Sequence, residues 1–261
     1  MKFADSHCHL TSNLLIDQVD LIIKDSQHLN IDYFVQGGIC PEEWELQIKL
    51  AEQYKQIIPV FGIHPMWIAE QNSQTIESAL DFLSKKIHLA KAIGEVGLDF
   101  RPQFIHSREL QIEAVLNQIE IAQFKNIPIV WHLVRCFEDI KNNPLMSDWF
   151  SQTSGYVHAF NGGWEQAHYY LQNGLKLSVG GAVTFPTNKK LHDVIKKINL
   201  ESLLIETDSP DQKIFQSPTE NNYPKYLWSI ATTISEIKNL PVEKILERST
   251  QNLFSLLNIS Y

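Results

Sequence analysis

Short apolar runs alternate along this chain with longer segments whose apolar residues recur at helical spacing. The short runs predict eight strands, at 3–9, 33–38, 57–64, 90–96, 127–132, 155–160, 176–181 and 203–208, most of them bounded by Gly, Pro, Asn or Asp. The longer segments predict helices at 14–28, 41–54, 75–86, 107–125, 164–172, 189–198, 225–238 and 242–257, with a shorter piece at 137–142. In the 107–125 segment Ile112, Val115, Leu116, Ile119 and Ala122 fall on one face, the signature of a helix packed on a core. Pro41, followed by Glu42 and Glu43, reads as a helix start, because proline lacks the N–H that a first turn leaves unpaired and acids suit the positive end of the helix dipole. Eight strand–helix units in 261 residues predict a single-domain (β/α)8 TIM barrel, an α/β fold, over 1–261. The alternative is an open doubly wound sheet; no Gly-x-Gly-x-x-Gly follows the first strand to support its dinucleotide-binding form. The longest irregular stretch, 211–224, follows the eighth strand, where barrels of this kind carry active-site loops.

Composition narrows the class. Hydrophobic residues make up 44% and charged residues 20%, ordinary for a globular chain. No apolar run reaches a membrane-spanning length, and Lys2, Asp5 and His7 leave no room for a signal-peptide core, so neither membrane association nor export is expected. Cys8, Cys40 and Cys136 are far apart and read as free thiols of a reducing, cytoplasmic compartment. The net charge of -8 opposes broad electrostatic binding of polyanions, although bound divalent cations would reverse that field locally. No protein partner is evident.

Polar residues fall where such a barrel needs them. His7 and His9 end the first strand; their spacing puts both imidazoles on one face and Cys8 on the other, with Asp5 as a neighbour. His64 ends strand three, Glu95 lies on strand four before Asp99, His132 ends strand five, His158 lies on strand six and Asp208 ends strand eight. The remaining histidines, His28, His88, His106, His168 and His192, fall in helical or loop contexts and read as surface residues. Singly, each strand-end residue has an ordinary structural explanation. Together, His7, His9, Glu95, His132, His158 and Asp208 gather ionisable groups in one barrel mouth, and buried charge needs a partner. The strands supply few basic side chains, so metal is the economical answer. His7, His9 and Asp208 would hold one ion and His132 and His158 a second, with Glu95 able to bridge. Such nitrogen and oxygen ligands suit zinc, manganese or iron and, less readily, magnesium.

Several of these pieces form motifs. Asp5-Ser6-His7-Cys8-His9-Leu10, Gly62-Ile63-His64-Pro65, Gly94-Glu95-Val96-Gly97-Leu98-Asp99-Phe100, Pro128-Ile129-Val130-Trp131-His132, His158-Ala159-Phe160-Asn161-Gly162 and Leu204-Ile205-Glu206-Thr207-Asp208-Ser209-Pro210 run in order through nearly the whole chain. With the ending Asn252-Leu253-Phe254, they resemble the TatD-like deoxyribonuclease family of metal-dependent hydrolases, within the amidohydrolase-like barrels. The resemblance implies that His7, His9, Glu95, His132, His158 and Asp208 are metal ligands, and that the activity is metal-dependent hydrolysis, typically of DNA phosphodiesters. The chain departs from the family pattern at three places. Arg135 comes one position later than the family's arginine after strand five, Ala159-Phe160-Asn161 replaces Cys-Phe-Ser, and Asn221-Asn222-Tyr223-Pro224 lacks the arginine that follows strand eight.

The mechanism expected on this basis is attack by a water held between two divalent ions, with Asp208 as metal ligand and general base. His64 and Arg135 would face the substrate, DNA as single strands or ends, and Trp67 and Phe100 are candidates for stacking on a base. One rival keeps the site and changes the substrate to amide, ester or lactone bonds of small metabolites; the missing arginine favours it, since a bidentate guanidinium is hard to replace at a phosphate. The other rival is a non-catalytic metal-binding protein, which leaves the extra carboxylate of Asp208 without a purpose.

Overall fold

The computed structural model describes residues 2–260. Eight parallel strands run through it in chain order: β1 (Phe3–Cys8), β2 (Ile31–Gln36), β3 (Ile57–Pro59), β4 (Ile93–Asp99), β5 (Ile129–Val134), β6 (Gly155–Val157), β7 (Lys176–Val179) and β8 (Leu203–Ile205). The helices are α1 (Val19–Gln27), α2 (Pro41–Gln53), α3 (Pro65–Ile68), α4 (Ser73–Lys86), α5 (Arg108–Lys125), α6 (Phe137–Asn142), α7 (Pro144–Ser147), α8 (Trp164–Gln172), α9 (Lys189–Lys197), α10 (Leu227–Lys238) and α11 (Val242–Leu257). This is the (β/α)8 barrel that the alternation predicts.

The ladders do not close the ring by themselves. They form one run β1-β2-β3 and another β4-β5-β6-β7-β8. A single bridge, Phe61 to Ile93, joins β3 to β4. Between β8 and β1 the join lies beyond β8, where Asp208 N donates to His7 O at 2.9 Å and His9 N to Ser209 O at 2.7 Å. Side chains complete it: Asp5 accepts from Thr207 N at 2.9 Å and from the Thr207 hydroxyl, and Ser6 Oγ donates to Ile205 O at 2.9 Å. Asp5 therefore braces the seam instead of joining the histidines.

Several strand ends differ from the sequence expectation, for identifiable reasons. β3 stops at Pro59, which has no N–H to give a ladder. β4 starts later and runs to Asp99, because β5 pairs its far end, Gly97 with His132 and Asp99 with Val134. β6 and β8 end before His158 and Asp208, where Ala159 (φ 51°) and Asp208 (φ 52°) turn into the left-handed region and break the extended path. Asn72 caps α4 by accepting from Thr75 N at 3.0 Å, so that helix starts earlier than the pattern indicates.

Two apolar clusters form the core. The outer one fills the space between strands and helices; the inner one lies within the ring, where Ala4, Val35, Ile58, Ala92, Val130, Tyr156 and Leu204 meet Leu253, Phe254 and Leu257 of α11. Each large apolar side chain so buried contributes about 1.5–3 kcal/mol. The far end of α11 thus plugs one end of the barrel, leaving the other for polar groups.

Candidate metal centre

Two bulges aim the polar groups. On β1, Asp5 pairs with Phe34 and Cys8 with Gln36, three steps against two. Ala4 belongs to the inner cluster and Cys8 to the outer one, although plain alternation would put both on the same face. The extra residue reverses the parity, so His7 and His9 face the barrel mouth. β4 uses the same device. Ile93 pairs with Ile129 and Val96 with Trp131, again three against two, and both Ile93 and Val96 are in the outer cluster. Without the insertion Glu95 would point at the helices; with it, Glu95 points inward. Gly94 permits the bulge, because a Cβ there would come within 2.5 Å of Val130 Cβ.

The buried Glu95 carboxylate is the hub. Its Oε1 lies 3.3 Å from His7 Nε2 and 3.3 Å from His9 Nε2, and those two nitrogens are 3.2 Å apart. Its Oε2 lies 2.6 Å from His158 Nε2 and 3.3 Å from His132 Nδ1, and those nitrogens are 3.0 Å apart. Asp208 Oδ1 stands 3.3 Å from His9 Nε2 and 3.8 Å from His7 Nε2. Nitrogen ligands 2.0–2.1 Å from one tetrahedral cation would be about 3.3 Å apart, so the spacing fits a divalent ion on each side of the carboxylate. The donor chemistry fits as well: imidazoles and carboxylates, with no thiolate, since Cys8 packs in the outer core. Among the described residues, the ion pairs of Glu95 are all with imidazoles.

The electrostatics tell the same story. Burial works to raise the Glu95 carboxyl, but the fields of His158, His7 and His64 and the hydrogen bond of His132 hold it well below its ordinary range. Asp208 behaves likewise: burial opposes ionisation, and the His9 hydrogen bond and the His158 field overcome it. Burial would depress His9 and His158, yet the neighbouring carboxylates carry them up, to about 9 and about 10. His7, with burial dominant, falls to about 4. In the absence of cations, protons on His9 and His158 do the neutralising.

His64 sits beside this cluster in a different role. Its Nδ1 accepts from Met66 N at 3.0 Å, which puts the ring proton on Nε2, 3.6 Å from Glu95 Oε2. Burial and the adjacent His132 hold it well below its usual pKa, so the ring is neutral and its free edge is a donor. With Nδ1 taken by Met66 N, the neutral ring keeps its proton on Nε2, which separates His64 from the four other imidazoles.

Support from further out was only partly legible. Asp99, quoted above as part of a motif, stands 3.5 Å from His132 Nε2 and is held by Arg101, whose Nε lies 2.9 Å from each carboxylate oxygen. A carboxylate behind a ligating histidine fixes its tautomer and orientation. Glu206 is buried 3.9 Å from His158 Nδ1 and accepts from Ala159 N; burial pushes its carboxyl up to about 8. Gln212 Nε2 donates to Asp208 Oδ2 at 2.7 Å. The Gly-Glu-Val-Gly-Leu-Asp and Glu-Thr-Asp-Ser-Pro pieces carried the first two residues; nothing in the sequence singled out Gln212.

The remaining sequence candidates fare differently. Arg135 is exposed, with φ at 55°, on the wall of a side cavity of about 610 Å³ that also reaches His158 and Lys190. Phe100 is only 6% exposed, with the Arg108 guanidinium 4.9 Å above its ring, and Trp67 packs on the outer core. Burial rules Phe100 out of the stacking expectation, whereas Trp67 is half-buried. Of the five histidines assigned to the surface, His192 is half-buried and bonds to Val183 O at 2.8 Å, because α9 packs against the loop after β7.

Comparison with known proteins places the whole chain. The family model described as TatD related DNase matches residues 4–258. YjjV of Escherichia coli K12, an uncharacterized metal-dependent hydrolase, is 26% identical over 99% of this chain and 98% of its own length. Its crystal structure superimposes with a TM-score of 0.87 over the same shares of the two chains. Human deoxyribonuclease TATDN3 is 27% identical over 97% of this chain and 93% of its own. A mutant organophosphorus hydrolase from Deinococcus radiodurans, 10% identical with a TM-score of 0.70 over 98% of this chain and 92% of that one, shares the barrel alone. The protein is therefore a member of the TatD family of metal-dependent hydrolases.

Proposed function

We propose that the protein is a deoxyribonuclease cleaving DNA phosphodiesters, in single strands or at ends, at a binuclear centre held by His7, His9, Glu95, His132, His158 and Asp208. The observation that carries this reading is the division of labour at Glu95: each carboxylate oxygen faces its own pair of imidazole nitrogens. Two divalent cations, zinc or manganese by donor type, would supply a water of lowered pKa and offset negative charge on the reacting oxygens. Asp208 takes the proton. Its Oδ1 faces the histidine cluster, while Gln212 fixes Oδ2, so the base is anionic and aimed. His64 donates from Nε2 to a substrate oxygen. Asp99, steadied by Arg101, keeps His132 in one orientation. Arg101 and Lys213 line the mouth, a cavity of about 590 Å³ that includes His132, His158 and Asp208; Asp99 takes up the Arg101 charge, and Lys213 favours an anionic substrate. TATDN3, similar over most of its length, is named a deoxyribonuclease.

Metal analysis of the purified protein followed by oligonucleotide digestion with the preferred ion tests the proposal; two equivalents of metal and cleavage are expected. Asp208→Asn keeps the fold and lowers kcat about 10²–10⁴-fold. Near-native turnover of that variant at saturating metal would remove Asp208 as the base.

A second reading is favoured by the loop after β8. Asn221 stands where the family carries its arginine, and an uncharged amide there has no guanidinium fork to offer a phosphate, while the buried Asn222 beside it holds the loop by donating to Thr207 O at 2.6 Å. On that reading the same centre hydrolyses amides, esters or lactones of small metabolites. Cleavage of such compounds together with inertness toward single-stranded oligonucleotides would decide for it.

A further inference from the structure

Phe185 and Phe215 stand at the lip of the mouth, on the loops after β7 and β8. Their rings meet edge to face, with centroids 5.5 Å apart and planes at 66°. Both are well exposed, at 39% and 42%, and Phe185 lines the same cavity as His132, His158 and Asp208. An exposed aromatic pair is costly to hydrate, and here the chain spends several interactions on holding it still. Thr184 Oγ1 donates to Gly181 O at 2.6 Å and accepts from Phe215 N at 2.7 Å, tying the two loops together. The loops meet so closely that a Cβ on Gly181 would lie 2.0 Å from Gln212 O. Asn188 Nδ2 donates to Ala182 O at 3.0 Å, fixing the β7 loop from its other side. The result is a rigid apolar surface with Lys213 beside it and the Glu95 centre behind it.

We propose that the Phe185–Phe215 pair is a stacking platform for the nucleobase of the nucleotide that carries the scissile phosphate, and so a determinant of specificity for nucleotides. The inference rests on the nuclease reading, since a base beside a phosphate is what this apolar lip next to Lys213 would accept. Phe185 and Lys213 line one cavity with His132, His158 and Asp208, so a base stacked on the exposed pair would leave the phosphate on its sugar within reach of Lys213 and the metal centre. Stacking tolerates any base, because every base has a π-face. The platform therefore discriminates bases from their absence and does not read sequence.

The test is calorimetric titration of the metal-loaded protein with thymidine 5′-monophosphate and with deoxyribose 5-phosphate, which keeps the phosphate and lacks the base. The wild type is expected to bind the nucleotide about ten-fold more tightly, the lower-middle range for one stacked base. Phe185→Leu with Phe215→Leu, exposed positions that keep apolar bulk, is expected to erase that preference while leaving deoxyribose 5-phosphate binding and metal content unchanged. Equal binding of the two ligands by the wild type, or a preference that survives in the double variant, overturns the platform. Failure of the nuclease reading appears separately, as a wild type that prefers the nucleotide yet leaves oligonucleotides intact.

Discussion

Glu95 faces an imidazole pair with each carboxylate oxygen, and on the proposed reading it would serve two half-sites. Replacing it with Gln keeps its size and removes the charge that both imidazole pairs face. Glu95→Gln is expected to take metal content from two equivalents to one or fewer, with kcat reduced at least 10³-fold; a variant retaining two equivalents, by elemental analysis, would show that the carboxylate does not bridge. Asp99 permits a milder test. It reaches the centre through His132 rather than as a ligand, so Asp99→Asn is expected to weaken metal binding about 10–100-fold without abolishing it, as loss of a partner behind a ligand generally does. A competitive chelator titration reads that directly. The candidate ligands could be picked out along the chain, because polar residues at the ends of apolar strands have few other reasons to be there. The bond from Asp99 to His132 could not, since it spans 33 positions and exists only because β4 and β5 pair Gly97 with His132 and Asp99 with Val134.

The elements carry the aim of these side chains. Period-two alternation predicts which residues share a face, and on β1 and β4 a bulge breaks that alternation at the place where function needs it. A hydrophobic pattern gives strands and their approximate ends, yet an inserted residue leaves no mark in it except a glycine, here Gly94. Gly94→Ala is expected to be costly. The new Cβ would meet Val130 Cβ at 2.5 Å, and neither atom is the tip of a flexible side chain. Overpacking of this kind costs about 1–3 kcal/mol. If the bulge relaxes to avoid the clash, Glu95 rotates toward the helices and metal content falls together with the melting temperature. A variant with full metal occupancy and native stability would show that β4 keeps its bulge without the glycine. The two loops of the aromatic lip were beyond sequence reading for a related reason: Phe185 and Phe215 are 30 positions apart on irregular backbone with no period, and only the close approach at Gly181 brings them together.

At the scale of the molecule, the alternation of strands and helices made the barrel legible, whereas the closure of the ring was not. The β8–β1 seam relies on Asp5, Thr207 and backbone groups next to His7 and Asp208 rather than on a ladder. Ions bound by His7, His9 and Asp208 would clamp that seam from the mouth side, so metal should stabilise the fold as well as catalyse. Binding to the folded state alone adds about 4 kcal/mol at a free-ion concentration a thousand times the dissociation constant. For a chain of this size that corresponds to a rise in melting temperature of about 8–16 °C. Chelation is thus expected to lower Tm by this order while leaving the far-ultraviolet circular dichroism unchanged at 25 °C, because the two apolar clusters and the α11 plug do not involve the ions. Metal should also bind more tightly as pH rises through neutrality: His9 and His158, carried up to about 9 and about 10, hold protons that an ion must displace. Calorimetry in buffers of different ionisation enthalpy counts those protons. An unchanged Tm on chelation would place the ions outside the folded state's ligand set, and collapse of the secondary structure would make them structural staples first.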